Sequence, residues 1–169
     1  MTEQQINEEV VSVINIRRVA KTTKGGRKMS FSALVVYGDG KNRIGYGTGK
    51  GSTVVSAVEK AERSARSNCV DIKTYKNSIC HEVEASFGST TVKLMPASPG
   101  TGIKCGAAMR KVVQATSVTD IFAKITGSRN AKNVIIATFK ALTQQRLVKD
   151  VAEARGFKVS QLCGVYEQQ

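Results

Sequence analysis

Gly45, Gly47 and Gly49 recur at every second position within Ile44-Gly45-Tyr46-Gly47-Thr48-Gly49-Lys50-Gly51. Alternate residues of an extended strand share a face, so this spacing leaves one side of the strand without side chains. Ile44, Tyr46 and Thr48 project from the other side. A bare strand face admits the close approach of another backbone, whether a packed helix or an RNA phosphate chain. The stretch also looks like a nucleotide-binding loop, but the match fails. A Walker A loop needs glycine where Ile44 stands and a hydroxyl side chain where Gly51 stands. A GxGxxG fingerprint needs glycine where Lys50 stands. The expectation is a glycine-faced strand.

The neighbouring sequence builds a unit around that strand. Val10–Ala20 is rich in β-branched residues and predicts a strand. Met29, Phe31, Ala33, Val35 and Tyr37 alternate along a second, with Gly25-Gly26 as the turn before it. Gly38-Asp39-Gly40 makes a tight connection to a third strand beginning at Arg43. Beyond Gly51 the period changes to that of a helix, with Val54, Val58, Ala61 and Ala65 on one stripe. Ser52 or Thr53 is the expected N-cap, and the helix is expected to end near Asn68. The result is an antiparallel βββα unit.

The second half predicts strands at Ile79–Phe87 and Thr90–Met95, then a helix over Ala107–Ala115. A strand over 118–125 and a helix over Asn133–Leu142 follow, giving the order ββαβα. The fold class is therefore α+β with two small domains. We divide the chain into a polar, mobile leader (1–8), a first domain (9–75), a second domain (76–155) and a tail (156–169), with the link around Val70–Asn77.

Charge narrows the function. Lys and Arg outnumber Asp and Glu by 26 to 13, for a net charge of +13. Such an excess favours a polyanionic partner, because phosphate contacts release condensed counterions. A basic membrane-surface protein would instead show a basic amphipathic helix. Within residues 17–66 the acids are only Asp39, Glu59 and Glu62. Glu59–Arg63 and Glu62–Arg66 have the spacing of intrahelical pairs. The cations outside the helix are Arg17, Arg18, Lys21, Lys24, Arg27, Lys28, Lys41, Arg43 and Lys50, around two glycine turns. Exposed glycine amides beside such charges suit a shaped phosphate surface. Aromatics are sparse and tryptophan is absent, which favours recognition of folded RNA by shape over capture of single strands by stacking.

Other classes find little support. No apolar run is long enough to span a bilayer. The acidic, polar start is expected to be neither a signal peptide nor a transit peptide. Cys69, Cys80, Cys105 and Cys163 form no CxxC pair and are expected to be reduced, mostly buried thiols of a cytosolic protein. Cys80 and His81 are adjacent and chelate poorly on an extended chain. No nucleophile–base pair or distinctive carboxylate pair stands out, so neither enzymatic activity nor a cofactor, metal or small-molecule substrate is expected.

Three long motifs carry a resemblance. KGGRKMSFSALVVYGDGKNRIGYGTGKG (24–51), PASPGTGIKCGAAMRKVV (96–113) and GSRNAKNVIIATFKAL (127–142) resemble the signatures of the bacterial small-subunit ribosomal protein five family, in the same order. The resemblance implies a double-stranded-RNA-binding-like N-terminal domain and a C-terminal domain with a left-handed crossover. It implies a structural constituent of the cytoplasmic small ribosomal subunit that binds ribosomal RNA near the decoding region and the channel where messenger RNA enters. It implies contacts with ribosomal proteins four and eight and an influence on translational accuracy. The loop Thr22–Lys28 matches the family's spectinomycin-site loop, and Gly102 and Arg110 match positions at the contact with protein four. The candidate RNA-binding set is Arg17, Arg18, Lys21, Lys24, Gly25, Gly26, Arg27, Lys28, Arg43, Tyr46 and Lys50. Departures from the family pattern include Gly51-Ser52-Thr53-Val54-Val55, Lys104-Cys105 and Ala131, the last at a position where proline is common. A phosphate-loop enzyme and a free-standing double-stranded-RNA-binding module are the alternatives.

Overall fold

The computed structural model of the chain describes residues 9–157. The expected leader, Cys163 and all but the first two residues of the expected tail lie outside the described residues.

The N-terminal domain is a four-stranded antiparallel sheet, β1 (Val10–Thr23), β2 (Gly26–Gly38), β3 (Arg43–Gly51) and β4 (Val70–Asp71), in that spatial order. Helix α1 (Val54–Ser67) packs on one face. Thr53 is the N-cap: its hydroxyl accepts the Ser56 amide at 3.3 Å. Asn68 is the C-cap. The buried stripe of α1 is Ala57, Ala61 and Ala65, while Val54 is exposed. The apolar stripe predicted from the valines is thus rotated, because the glycine face opposite has room only for alanine.

A Cβ on Gly45, Gly47 or Gly49 would stand 2.1–2.2 Å from the carbonyl oxygens of Ala65, Ala61 and Ala57 respectively. Two strand residues advance about 6.6 Å and four helical residues about 6.0 Å, so glycine and alanine stay nearly in step along the contact. Of the two uses open to a bare strand face, the structure shows helix packing. The opposite face of the sheet turns Leu34, Val36 and Ile44 into a second, larger core shared with the C-terminal domain. The β2–β3 turn is held by the Asp39 carboxylate, which accepts the amides of Lys41 (2.9 Å) and Arg43 (3.1 Å). Gly38 lies against Ala115 so closely that no side chain fits between the domains there.

The expected link contains structure: besides β4, a small hairpin is formed by β5 (Thr74–Tyr75) and β6 (Ser78–Ile79). The C-terminal sheet comprises β7 (Val83–Phe87), β8 (Thr90–Pro96), β9 (Ile103–Lys104) and β10 (Ile121–Gly127), in the order β7-β8-β10-β9. Helix α2 (Ala107–Gln114) joins β9 to β10, which run parallel, so this connection is a crossover. Helix α3 (Ala131–Thr143) packs on β7, β8 and α2. A fourth helix, α4 (Val148–Arg155), was not legible from the sequence pattern.

Two predicted strands shrink. Ile79–Phe87 is interrupted because the buried Gln145 side chain accepts the amides of Cys80 (3.1 Å) and His81 (3.2 Å) and donates to the His81 carbonyl (3.2 Å). The predicted strand over 118–125 starts instead at Ile121. Val118 and Asp120 are engaged before it, the first by Thr116 and the second by the loop at Gly102.

Candidate nucleic-acid interface

Strands β1 and β2 are longer than the sheet that anchors them. Pairing continues from Val19↔Ser30 to Thr23↔Gly26, beyond the last register of β3 with β2 at Phe31↔Gly51. Residues 16–29 are exposed without interruption. At about 3.3 Å per residue the free hairpin reaches roughly 20 Å from the body. The turn is tight: Lys24-Gly25 joins the strands, Gly26 has φ +138°, and the Thr23 hydroxyl donates to the Gly26 carbonyl at 3.1 Å. The predicted loop is therefore the end of a paired, two-stranded arm.

Arg17, Arg18, Lys21, Lys24, Arg27 and Lys28 all lie on this arm, and no acidic residue does. Register divides them between its faces. Arg17, Lys21 and Lys28 share the face that continues toward Leu34 and the C-terminal domain, whereas Arg18 and Arg27 share the α1 side. Lys50 joins the first group, since Arg17, Ser32 and Lys50 form one row across three strands. Exposed Val19 adds an apolar residue to the first face, and exposed Ile16 and Met29 add two to the second. Six cations on a two-stranded projection repel one another in the free chain, and a polyanion relieves that repulsion. Nothing lies within 4 Å of where a Cβ on Gly25 or Gly26 would stand, so the tip is open.

Two candidates are differently placed. Arg43 is paired with Asp71 at 3.3 Å across the β3–β4 edge, which corrects the reading of it as an unpaired cation. Tyr46 is half-buried, with its ring edge-on to Phe139 of α3 at 4.8 Å between centroids. Its aromatic ring joins the two domains. On α1, Arg66 meets Glu62 and Glu9, each at 2.9 Å, while Arg63 has no ion pair among the described residues.

The root of the arm holds a residue that sequence reasoning missed. A β-bulge shifts the register between Val13 and Asn15, and the Lys111 ammonium of α2 donates to the Val13 carbonyl there. The signal was absent from local sequence, because α2 reaches the bulge only through the tertiary fold.

Gly102 and Arg110 are brought together. The Arg110 guanidinium donates to the carbonyl of Ile103 at 3.1 Å, next in the chain to Gly102. Gly102 has φ +74°, and its amide donates to the buried Asp120 carboxylate at 2.8 Å. The Thr119 hydroxyl reaches the other carboxylate oxygen at 2.9 Å. Backbone donation from Gly102, then the Thr119 hydroxyl, holds the Asp120 carboxyl below the usual range.

The remaining reactive side chains have structural surroundings. His81 accepts the Arg146 amide at Nε2 (3.1 Å), which leaves Nδ1–H to donate to the Glu82 carbonyl (2.9 Å). Cys69, Cys80 and Cys105 are free and only half-buried, less enclosed than expected. Burial still pushes each thiol up, opposed at Cys105 by Arg110, so they are held as weakly nucleophilic thiols. No group of three or more potential metal ligands occurs among the described residues, and none of their helices is long and apolar enough to cross a membrane.

The family model described as ribosomal protein S5, N-terminal domain, matches residues 10–73, and that described as ribosomal protein S5, C-terminal domain, matches residues 85–155. The small ribosomal subunit protein uS5 of Coxiella burnetii is 42% identical over 161 residues, covering 95% of this chain and 94% of the relative. That of Fusobacterium nucleatum is 41% identical over 162 residues, covering 96% and 99%. That of Acinetobacter baylyi is 42% identical over 165 residues, covering 97% and 100%. The chain belongs to the ribosomal protein S5 family. This is a family of structural, non-enzymatic proteins. The S5 N-terminal match contains the whole arm, and the S5 C-terminal match contains Gly102, Arg110 and Lys111.

Proposed function

We propose that this chain is a structural constituent of the cytoplasmic small ribosomal subunit, docking onto folded small-subunit ribosomal RNA through its β1–β2 arm. The observation that carries the reading is the exposed projection of residues 16–29, with six cations and no carboxylate. An isolated two-stranded hairpin is marginal on its own, so an arm of this length is completed by what it docks against. Recognition is electrostatic and by shape: cations and tip amides position the chain on phosphates, without a platform for base stacking.

Near the decoding region and the messenger channel, Gly102 and Arg110 form the contact with ribosomal protein four, and protein eight is a second neighbour. The family resemblance supports this finer assignment, together with the juxtaposition of Arg110 and the Gly102 loop. Subunit closure during decoding then depends on a polar interface that Arg110 helps hold. An Arg110→Ala variant is expected to change misreading in a reporter assay, and unchanged misreading would remove Arg110 from that role.

The test of the whole reading is sedimentation of an extract at low magnesium. Stoichiometric presence in the small-subunit peak after a moderate salt wash is expected. Absence from that peak, with RNA binding retained, would favour the free-standing RNA-binding module instead.

A further inference from the structure

The charge-rich face of the arm runs into a groove of about 150 Å³ between the domains. Asn15, Arg17, Ser32 and Thr48 line it from the N-terminal sheet beside Ala33 and Leu34, and Asn130 and Lys132 line it from the start of α3 beside Ala131. No acidic residue lines it, and neither Arg17 nor Lys132 makes an ion pair among the described residues. Two uncompensated cations from separate domains thus converge on one slot. The free chain gains nothing from that arrangement, and an anion between them would be attracted by both. The groove is open to solvent and has room for a phosphate group.

We propose that this groove holds a backbone phosphate of the bound RNA, between Arg17 and Lys132, so that the RNA is gripped by both domains at once. The inference rests on the RNA-binding reading of the arm and extends it to a residue of the C-terminal domain. Asn15, Ser32 and Thr48 supply neutral hydrogen-bond donors around the phosphate oxygens. RNA binding then also fixes the domains relative to each other, since the same ligand touches both.

The test is equilibrium binding of the full chain to a bacterial small-subunit ribosomal RNA transcript across a salt series. Lys132→Gln is expected to weaken binding about five- to tenfold at moderate salt and to reduce the salt slope by about one. Lys124→Gln, an exposed change on the far face of the C-terminal sheet, is expected to do less than half of this. Because Arg17 and Lys132 share one phosphate, R17Q and K132Q together should lose less than the product of their separate losses. If Lys132→Gln binds as wild type does while neutralising the arm abolishes binding, the groove proposal is overturned and the arm reading stands. Fully multiplicative losses would overturn the shared phosphate. If neutralising the arm has no effect either, both readings fall.

Discussion

The carbonyl oxygen of Ala61 lies 2.1 Å from the point where a Cβ on Gly47 would stand. The glycine-rich strand is therefore the seat of α1, with no room for a phosphate between them. Its neighbours repeat the contact, Gly45 with Ala65 and Gly49 with Ala57. On the proposed function, phosphate recognition falls instead to the exposed ends of β1 and β2.

Gly47→Ala is expected to destabilise the fold by about 3 kcal/mol, at the upper end of overpacking costs, because backbone on both sides must yield. Gly25→Ala, in open space at the arm tip, should stay within about 0.5 kcal/mol of wild type. Urea unfolding of both variants checks the pair. Equal stabilities would mean that the strand and helix are not in contact.

Lys111→Met keeps the aliphatic stem but leaves the Val13 carbonyl without its donor at the root of the arm. The expected loss is about 1–2 kcal/mol, the cost of an unsatisfied, partly buried acceptor. Denaturant midpoints measure it. Exchange of the Val13–Asn15 amides should also quicken, since the bulge loses its anchor.

Asp120 makes stability depend on pH. Its native pKa is depressed, chiefly by the Gly102 amide, so folding favours the ionised carboxylate. That contribution is complete above the unfolded carboxylate range, at about pH 5, and is lost as pH falls through the native pKa. Asp120→Asn should therefore be less stable than wild type at neutral pH, with the gap narrowing below about pH 4. Thermal melts across pH test this, and a gap independent of pH would contradict it.

Ala131 opens α3 directly after the Asn130 cap, whose φ of −61° and ψ of 120° suit a residue before proline. The first helical amide has no intrahelical acceptor, so proline removes nothing there. Ala131→Pro, the change toward the common family residue, should add about 0.4–1 kcal/mol. The melting temperature should rise by about 1–4 °C.

How far the fold could be read from sequence depends on what each residue packs against. The glycine period exposed the β3–α1 contact because both partners are adjacent in the chain, and the caps at Thr53 and Asn68 are equally local. The extent of the arm was hidden. Hydrophobic alternation records burial within the chain, and residues 16–29 are exposed throughout among the described residues. Strands of two residues, such as β4 and β9, carry no period at all. The partners of Arg43 and Tyr46 come from β4 and α3, so their roles emerged only with the tertiary fold. Lys132 gave no signal for the same reason: its groove exists only where the two domains meet.

The central claim is that the arm's cations hold RNA phosphates, and the most direct measurement is the salt dependence of RNA binding by the wild type and a Lys24→Gln, Arg27→Gln, Lys28→Gln triple variant. For the wild type, log affinity should fall steeply and linearly with log salt. The variant should bind more than tenfold more weakly at moderate salt, with a slope shallower by about two to three, for the phosphate contacts removed. An unchanged slope and affinity in the variant would contradict the account.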